Sequence, residues 1–181
     1  MSLHTDALHL LEGWAAPGPA QERLRGQYAA HLRSHPDGLD RSCLPDHVTA
    51  STLVLSPDAG QVLLTLHAKA RRWFQFGGHV EADDHTLAAA ALREVTEESG
   101  LAELGLDPVP VHLDLHEVPF CGGRGAHHLD VRFLAVAAPG DRTVVSDESH
   151  DVRWWPVDEL PSDEPSLVAL VDLGRERLLR G

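Results

Sequence analysis

The segment Arg93-Glu94-Val95-Thr96-Glu97-Glu98-Ser99-Gly100 places three carboxylates close together. On a helix, Glu94, Glu97 and Glu98 stand at i, i+3 and i+4 and share one face. Ala88, Ala91, Leu92 and Val95 gather on another, so one side anchors the helix and the other is charged. Like charges at this spacing destabilise a bare helix and raise one another's pKa. A solvated acidic face is the bland explanation. The chemical one is a cation that neutralises the cluster, and hard carboxylate oxygens point to Mg²⁺ or Mn²⁺. Such an ion bridges diphosphate oxygens and lowers the pKa of a bound water, which is the chemistry of hydrolysis without a covalent intermediate.

A glycine-rich loop, Gly77-Gly78-His79-Val80-Glu81-Ala82-Asp83-Asp84, leads into that helix. Loop and helix together resemble the Nudix (MutT-like) hydrolase family, whose box reads G-x5-E-x7-R-E-U-x-E-E-x-G with U aliphatic. Arg93, Glu94, Val95, Glu97, Glu98 and Gly100 match its last part. The resemblance implies Glu94, Glu97 and Glu98 as metal ligands. It also implies Glu97 or Glu98 as an aid to water deprotonation, Arg93 as the residue that orients the glutamates, and Gly78 as the opening glycine beside Gly77 and His79. One departure stands out: the sixth place after Gly78 is Asp84 rather than glutamate, and eight residues, not seven, then precede Arg93. Asp83 or Asp84 must take the place of the early acid, which in the family ties loop to helix, and Asp84 is preferred.

The family also recruits an acid from outside the box. Asp147-Glu148, ahead of the Val152–Trp155 segment, offers Glu148 for a catalytic role, with Glu117 second and an exposed loop carboxylate as the plain alternative. Lys69, Arg71 and Arg72 are candidates for substrate phosphates, with a solvated loop as the equal alternative. His79, His116, His127 and His128 flank the box, but their spacing fits no familiar zinc motif, so hydrogen bonding to substrate and packing are expected of them. Trp73, Phe76, Trp154 and Trp155 are of a type that stacks on a nucleobase, yet near strands such residues more often fill a core.

These residues need a scaffold, and the hydrophobic period supplies one. Helices are expected over Thr5–Trp14, Pro19–Ser34, Thr86–Ser99 and Ser166–Leu179. Val48–Leu55 and Val62–Leu66 read as a hairpin about Ser56–Gly60. Trp73–Phe76, Val109–Val118, Leu129–Val136 and Val152–Trp155 read as further strands, with a turn at Gly122–Gly125. Strands in the middle, with helices at both ends and one between, favour an α/β (α+β) fold, a mixed β-sheet sandwiched by helices. The Nudix-type α/β/α sandwich implied by the resemblance covers roughly residues 47–165. We divide the chain into an N-terminal helical extension, 1–46, packed on the core, and a Nudix hydrolase domain, 47–181.

With 28 acidic and 15 basic residues among 181, the formal charge is −13. No sequence-independent attraction to nucleic acid or anionic membrane is expected. Cys43 and Cys121 form no CxxC pair and read as buried or incidental thiols; the amino terminus has no signal-peptide pattern, so the cytoplasm is the expected location. The reading is therefore an enzyme that cleaves a diphosphate linkage in a nucleoside diphosphate derivative or related small metabolite, with a homodimer as one assembly. Two alternatives carry weight. An isoprenoid-diphosphate isomerase would need a cysteine in a setting that neither cysteine has, and a non-catalytic metabolite sensor would gain nothing from repelling carboxylates.

Overall fold

The computed structural model describes residues 1–118, 121, 125–145 and 149–181. The elements run α1 (Leu3–Gly13), α2 (Pro19–Ser34), β1 (Asp46–Leu55), β2 (Gln61–His67), β3 (Trp73–Phe74), β4 (Phe76–His79), α3 (Leu87–Ser99), β5 (Leu104–Glu117), β6 (His127–Ala137), β7 (Ser149–Pro156) and α4 (Pro165–Arg180). The strands form one mixed sheet in the order β3-β2-β1-β6-β5, with β4 also on β1 and β7 also on β2. β1 and β6 are parallel and the other pairs antiparallel. Helices cover both faces, so the expected α/β/α sandwich with its N-terminal helical extension is found.

Local chemistry sets the helix ends. Ser2 and Thr86 cap α1 and α3 by accepting from Thr5 N and Ala89 N. Pro19 and Pro165 open α2 and α4, where a missing N–H costs nothing. Gly100 ends α3 in the left-handed region at φ 70°, and a Cβ there would lie 2.8 Å from Val144 Cβ.

Side-chain alternation divides β1 between the two faces. Val48, Ala50 and Thr52 face α3 and the N-terminal helices, where Ala7, Leu11, Tyr28 and Leu32 join Leu87, Ala91, Val131 and Phe133 in one core. Truncating a fully buried leucine such as Leu32 to alanine is expected to cost about 2–5 kcal/mol. On the other face Leu53 and Leu55 pack beneath Leu167, Leu170 and Val171 of α4. Earlier on the same strand that face carries His47, Thr49 and Ser51, which are buried but polar. The cavity described below opens over this polar end.

Three details differ from the expected elements. Trp73–Phe76 is two short strands, because the chain passes from pairing with β2 to pairing with β1 at Gln75. β5 starts at Leu104 rather than Val109; its register shifts between Asp107 and His112, where Pro108 and Pro110 lack ladder donors. Leu92 is exposed, since α3 packs through Leu87, Ala90, Ala91 and Val95. Gly122 and Gly123 of the expected turn lie outside the described residues.

Candidate active site

The register of β4 against β1 sends neighbouring residues to opposite faces. Gly78 pairs with Ala50 and faces α3, whereas His79 pairs with Thr49 and faces the polar end of the sheet. A Cβ on Gly78 would lie 2.7 Å from the Glu94 carboxyl group. On Gly77, at φ 156°, it would collide with Ser51 Cβ. Both glycines are therefore required for the close packing of loop, strand and helix. Together with Glu94, Glu97 and Glu98 they line a cavity of about 330 Å³.

Arg93 holds this end of the helix together. Its Nε and Nη2 donate to the two Asp84 carboxylate oxygens at 3.2 and 2.9 Å, and Nη2 also donates to the His79 carbonyl at 3.0 Å. Nη1 donates to Glu94 Oε1 at 2.9 Å and to Glu97 Oε2 at 3.4 Å. Burial pushes the Asp84 carboxyl up, but the Arg93 fork and the Glu81 N–H more than offset it, leaving the acid below its ordinary value. Asp84 hydrogen bonding to Arg93 pushes the guanidinium further above its already high value. Of the two aspartates considered for the early box acid, Asp84 makes the contacts to Arg93.

A second cavity, of about 1030 Å³, adjoins the first through Arg41, Gly77, Gly78 and His79, which line both. Its floor is a buried polar network on β1, β5 and β6. Asp130 accepts from Thr49 Oγ1 at 3.1 Å, Ser51 Oγ at 2.7 Å and Arg132 Nε at 2.9 Å. Arg132 also donates to Asp114 at 2.8 Å. Burial pushes Asp114 up, but hydrogen bonds from His116 and Ser166 and the charge of Arg132 hold it well below the usual carboxylate range. His79, pushed down to about 4, and His128, pushed down to about 3, are neutral because burial disfavours the charged imidazole.

The remaining expected residues separate. Lys69 and Arg72 line the larger cavity, but Arg71 does not. Glu117 lines it too, and accepts from Gly125 N at 3.1 Å. Asp147 and Glu148 lie outside the described residues. Phe76 is fully buried, Trp154 packs beside the core and Trp73 meets Trp155 edge to face, so these aromatics are packing groups. His127 Nδ1 donates to Asp46 Oδ1 at 2.9 Å, away from the cavity. Phe74, with the Arg72 guanidinium 5.9 Å from its ring centroid, lines the cavity. It was missed, as were Arg41, Asp130 and Arg132. The alternating polar run His128-x-Asp130-x-Arg132 in an otherwise apolar strand was the available signal for the last two.

A mixed sheet between helices, with a glycine loop set against a glutamate-rich helix, is the α/β/α arrangement expected from the sequence. The description of the NUDIX domain matches residues 45–172, and the chain belongs to the Nudix family. It is accordingly a pyrophosphohydrolase, acting on acid anhydrides in phosphorus-containing compounds. A NUDIX-family hydrolase from Clostridium perfringens is 24% identical with a TM-score of 0.57, covering 74% of this chain and 97% of that one. A C. elegans Ap4A hydrolase in a binary complex is 22% identical with a TM-score of 0.54, over 74% and 92%. The NUDIX domain of Shewanella oneidensis NrtR, complexed with ADP ribose, is 20% identical with a TM-score of 0.57, over 72% and 87%. No curated protein matches the sequence. Among the described residues no helix is long and apolar enough to cross a membrane.

Proposed function

We propose that this enzyme uses Mg²⁺ or Mn²⁺, held by Glu94, Glu97 and Glu98, to hydrolyse a diphosphate linkage in a nucleoside diphosphate derivative or a related small phosphorylated metabolite. The observation that carries the proposal is the convergence of these glutamates with Gly77 and Gly78 on one cavity that opens into a much larger one. The residues fit a hard dication: the donors are carboxylate oxygens, and the missing Cβ of Gly78 lets Glu94 come close to the loop. When bound, the ion would supply positive charge to the phosphate oxygens and acidify a coordinated water.

The chain's own groups supply the rest. Arg93, fixed by Asp84 and the His79 carbonyl, orients Glu94. Glu97, whose side chain is 62% exposed, accepts a proton from water at a carboxylate oxygen, and its exposure and the shared cavity with Glu98 support this role. Lys69, Arg72 and Arg41 offer charge-assisted bonds to phosphates, and Phe74 a stacking face for a base or similar ring. Glu148 is the further acid from outside the box. Ap4A, after which one of the similar hydrolases is named, and the ADP ribose complexed with the similar NrtR domain contain phosphoanhydride linkages of this kind. The test is release of phosphorylated products from ADP-ribose, nucleotide sugars, dinucleoside polyphosphates and nucleoside triphosphates with Mg²⁺ or Mn²⁺. Turnover of no member of this panel under either ion would overturn the proposal.

A further inference from the structure

Three strands bring three histidines to the same face. His47 on β1 pairs directly with His128 on the parallel strand β6. His79 on β4 pairs with Thr49, two residues along from His47 and thus on the same face. Their ring centroids lie 5.1 Å (His47 to His79), 4.9 Å (His47 to His128) and 5.0 Å (His79 to His128) apart. Cys121 completes the group: its Sγ is 3.1 Å from His79 Nε2 and 3.8 Å from His47 Nε2. One ligand atom from each of the four residues lies within 4.8 Å of the others.

We propose that His47, His79, His128 and Cys121 form a four-coordinate site for a zinc-class divalent ion, separate from the glutamate set on α3. Zn–N and Zn–S bonds of about 2.1 and 2.3 Å give tetrahedral edges of about 3.4–3.6 Å, which the two sulfur–nitrogen separations bracket. The more distant ligand atoms, within 4.8 Å of one another, would draw together on binding. Three imidazoles and one thiolate are a borderline-soft donor set that suits zinc and disfavours Mg²⁺.

Two further observations point to a ligand. His47 Nδ1 hydrogen-bonds the Cys43 carbonyl at 3.2 Å, which leaves Nε2 as the nitrogen facing Cys121; metal-binding histidines are commonly oriented in this way. His128 Nε2 is buried with no hydrogen-bond partner among the described residues, and a metal would satisfy the ring. Four protein ligands leave no open position, so the ion would be structural. It would tie β1, β4 and β6 to Cys121 and fix His79, whose carbonyl holds Arg93.

The test uses Co²⁺ as a spectroscopic stand-in on chelator-stripped full-length protein. One equivalent is expected to give the intense visible bands of tetrahedral cobalt and a near-ultraviolet thiolate charge-transfer band, both bleached by Zn²⁺. Cys121→Ser, a near-isosteric change, should lose the charge-transfer band, and Glu98→Gln should keep both. Zn²⁺ at about 100 times its dissociation constant should raise the melting temperature by roughly 5–10 °C in the wild type and not in Cys121→Ser. Only weak octahedral bands, an unchanged spectrum in Cys121→Ser, or loss of the bands in Glu98→Gln would overturn the site. None of these results would bear on hydrolysis assayed with Mg²⁺ or Mn²⁺, so the two readings fail separately.

Discussion

Gly78 and Glu94 are packed so closely that a methyl group on the glycine would lie 2.7 Å from the glutamate's carboxyl carbon and both its oxygens. The neighbour is the end of a flexible side chain, so Gly78→Ala should fold and displace Glu94 rather than break the sheet. Turnover should fall at least about tenfold, as when a supporting contact moves a group by an ångström. The melting temperature should change by less than a few degrees. Unaltered kinetics in Gly78→Ala would show that Glu94 does not need its present position.

Asp84 and Arg93 form a two-pronged ion pair, with the aspartate side chain only 7% exposed. Asp84→Asn removes the charge and should destabilise the fold by about 1–3 kcal/mol. Arg93→Lys loses the fork and should cost a similar amount. In the double variant the losses should be less than additive, and urea unfolding of all four proteins measures the coupling. Additive losses would mean that the pair does not act as a unit.

The glutamate face on α3 was legible because it depends on helical period alone, and the loop glycines because they adjoin it. Asp84 was harder: the extra residue before Arg93 makes sequence counting ambiguous between two aspartates, and only the guanidinium contacts separate them. The histidine–cysteine group was not legible. It arises from the pairing of His47 with His128 across a parallel pair of strands far apart in sequence, a register that local spacing does not encode. The early start of β5 was hidden by Gly105, Pro108 and Pro110, which break the alternation that marks a strand.

His112 is 6% exposed, and burial, aided by the nearby Arg132 charge, pushes it down to about 4. Its folded value lies below its unfolded one, so its contribution to stability is present above about pH 6.5 and is lost as pH falls toward 4. The slope in that window should approach roughly 1.4 kcal/mol per pH unit from this residue. His112→Gln should flatten the pH dependence of urea unfolding between those limits; an unchanged slope would assign the acid sensitivity elsewhere.

Glu148→Gln tests the proposed acid from outside the box. The turnover number should fall by roughly 10² or more, as expected when an acid/base group is removed. A loss below threefold would move the role to Glu117 or to no residue beyond α3.

The most direct measurement of the central claim is hydrolysis of the best substrate of the panel by wild type and Glu98→Gln, across a Mn²⁺ titration that begins in excess chelator. Glutamine keeps the side chain's shape and relieves charge crowding on α3, so folding should survive and gain a few tenths of a kcal/mol without metal. Wild-type turnover should be absent in chelator and rise to saturation with Mn²⁺. The variant should require more metal and reach a much lower plateau, because a neutral amide is a poorer ligand for a hard dication. Full turnover in excess chelator, or a titration of Glu98→Gln that overlays the wild type, would contradict the metal-dependent mechanism.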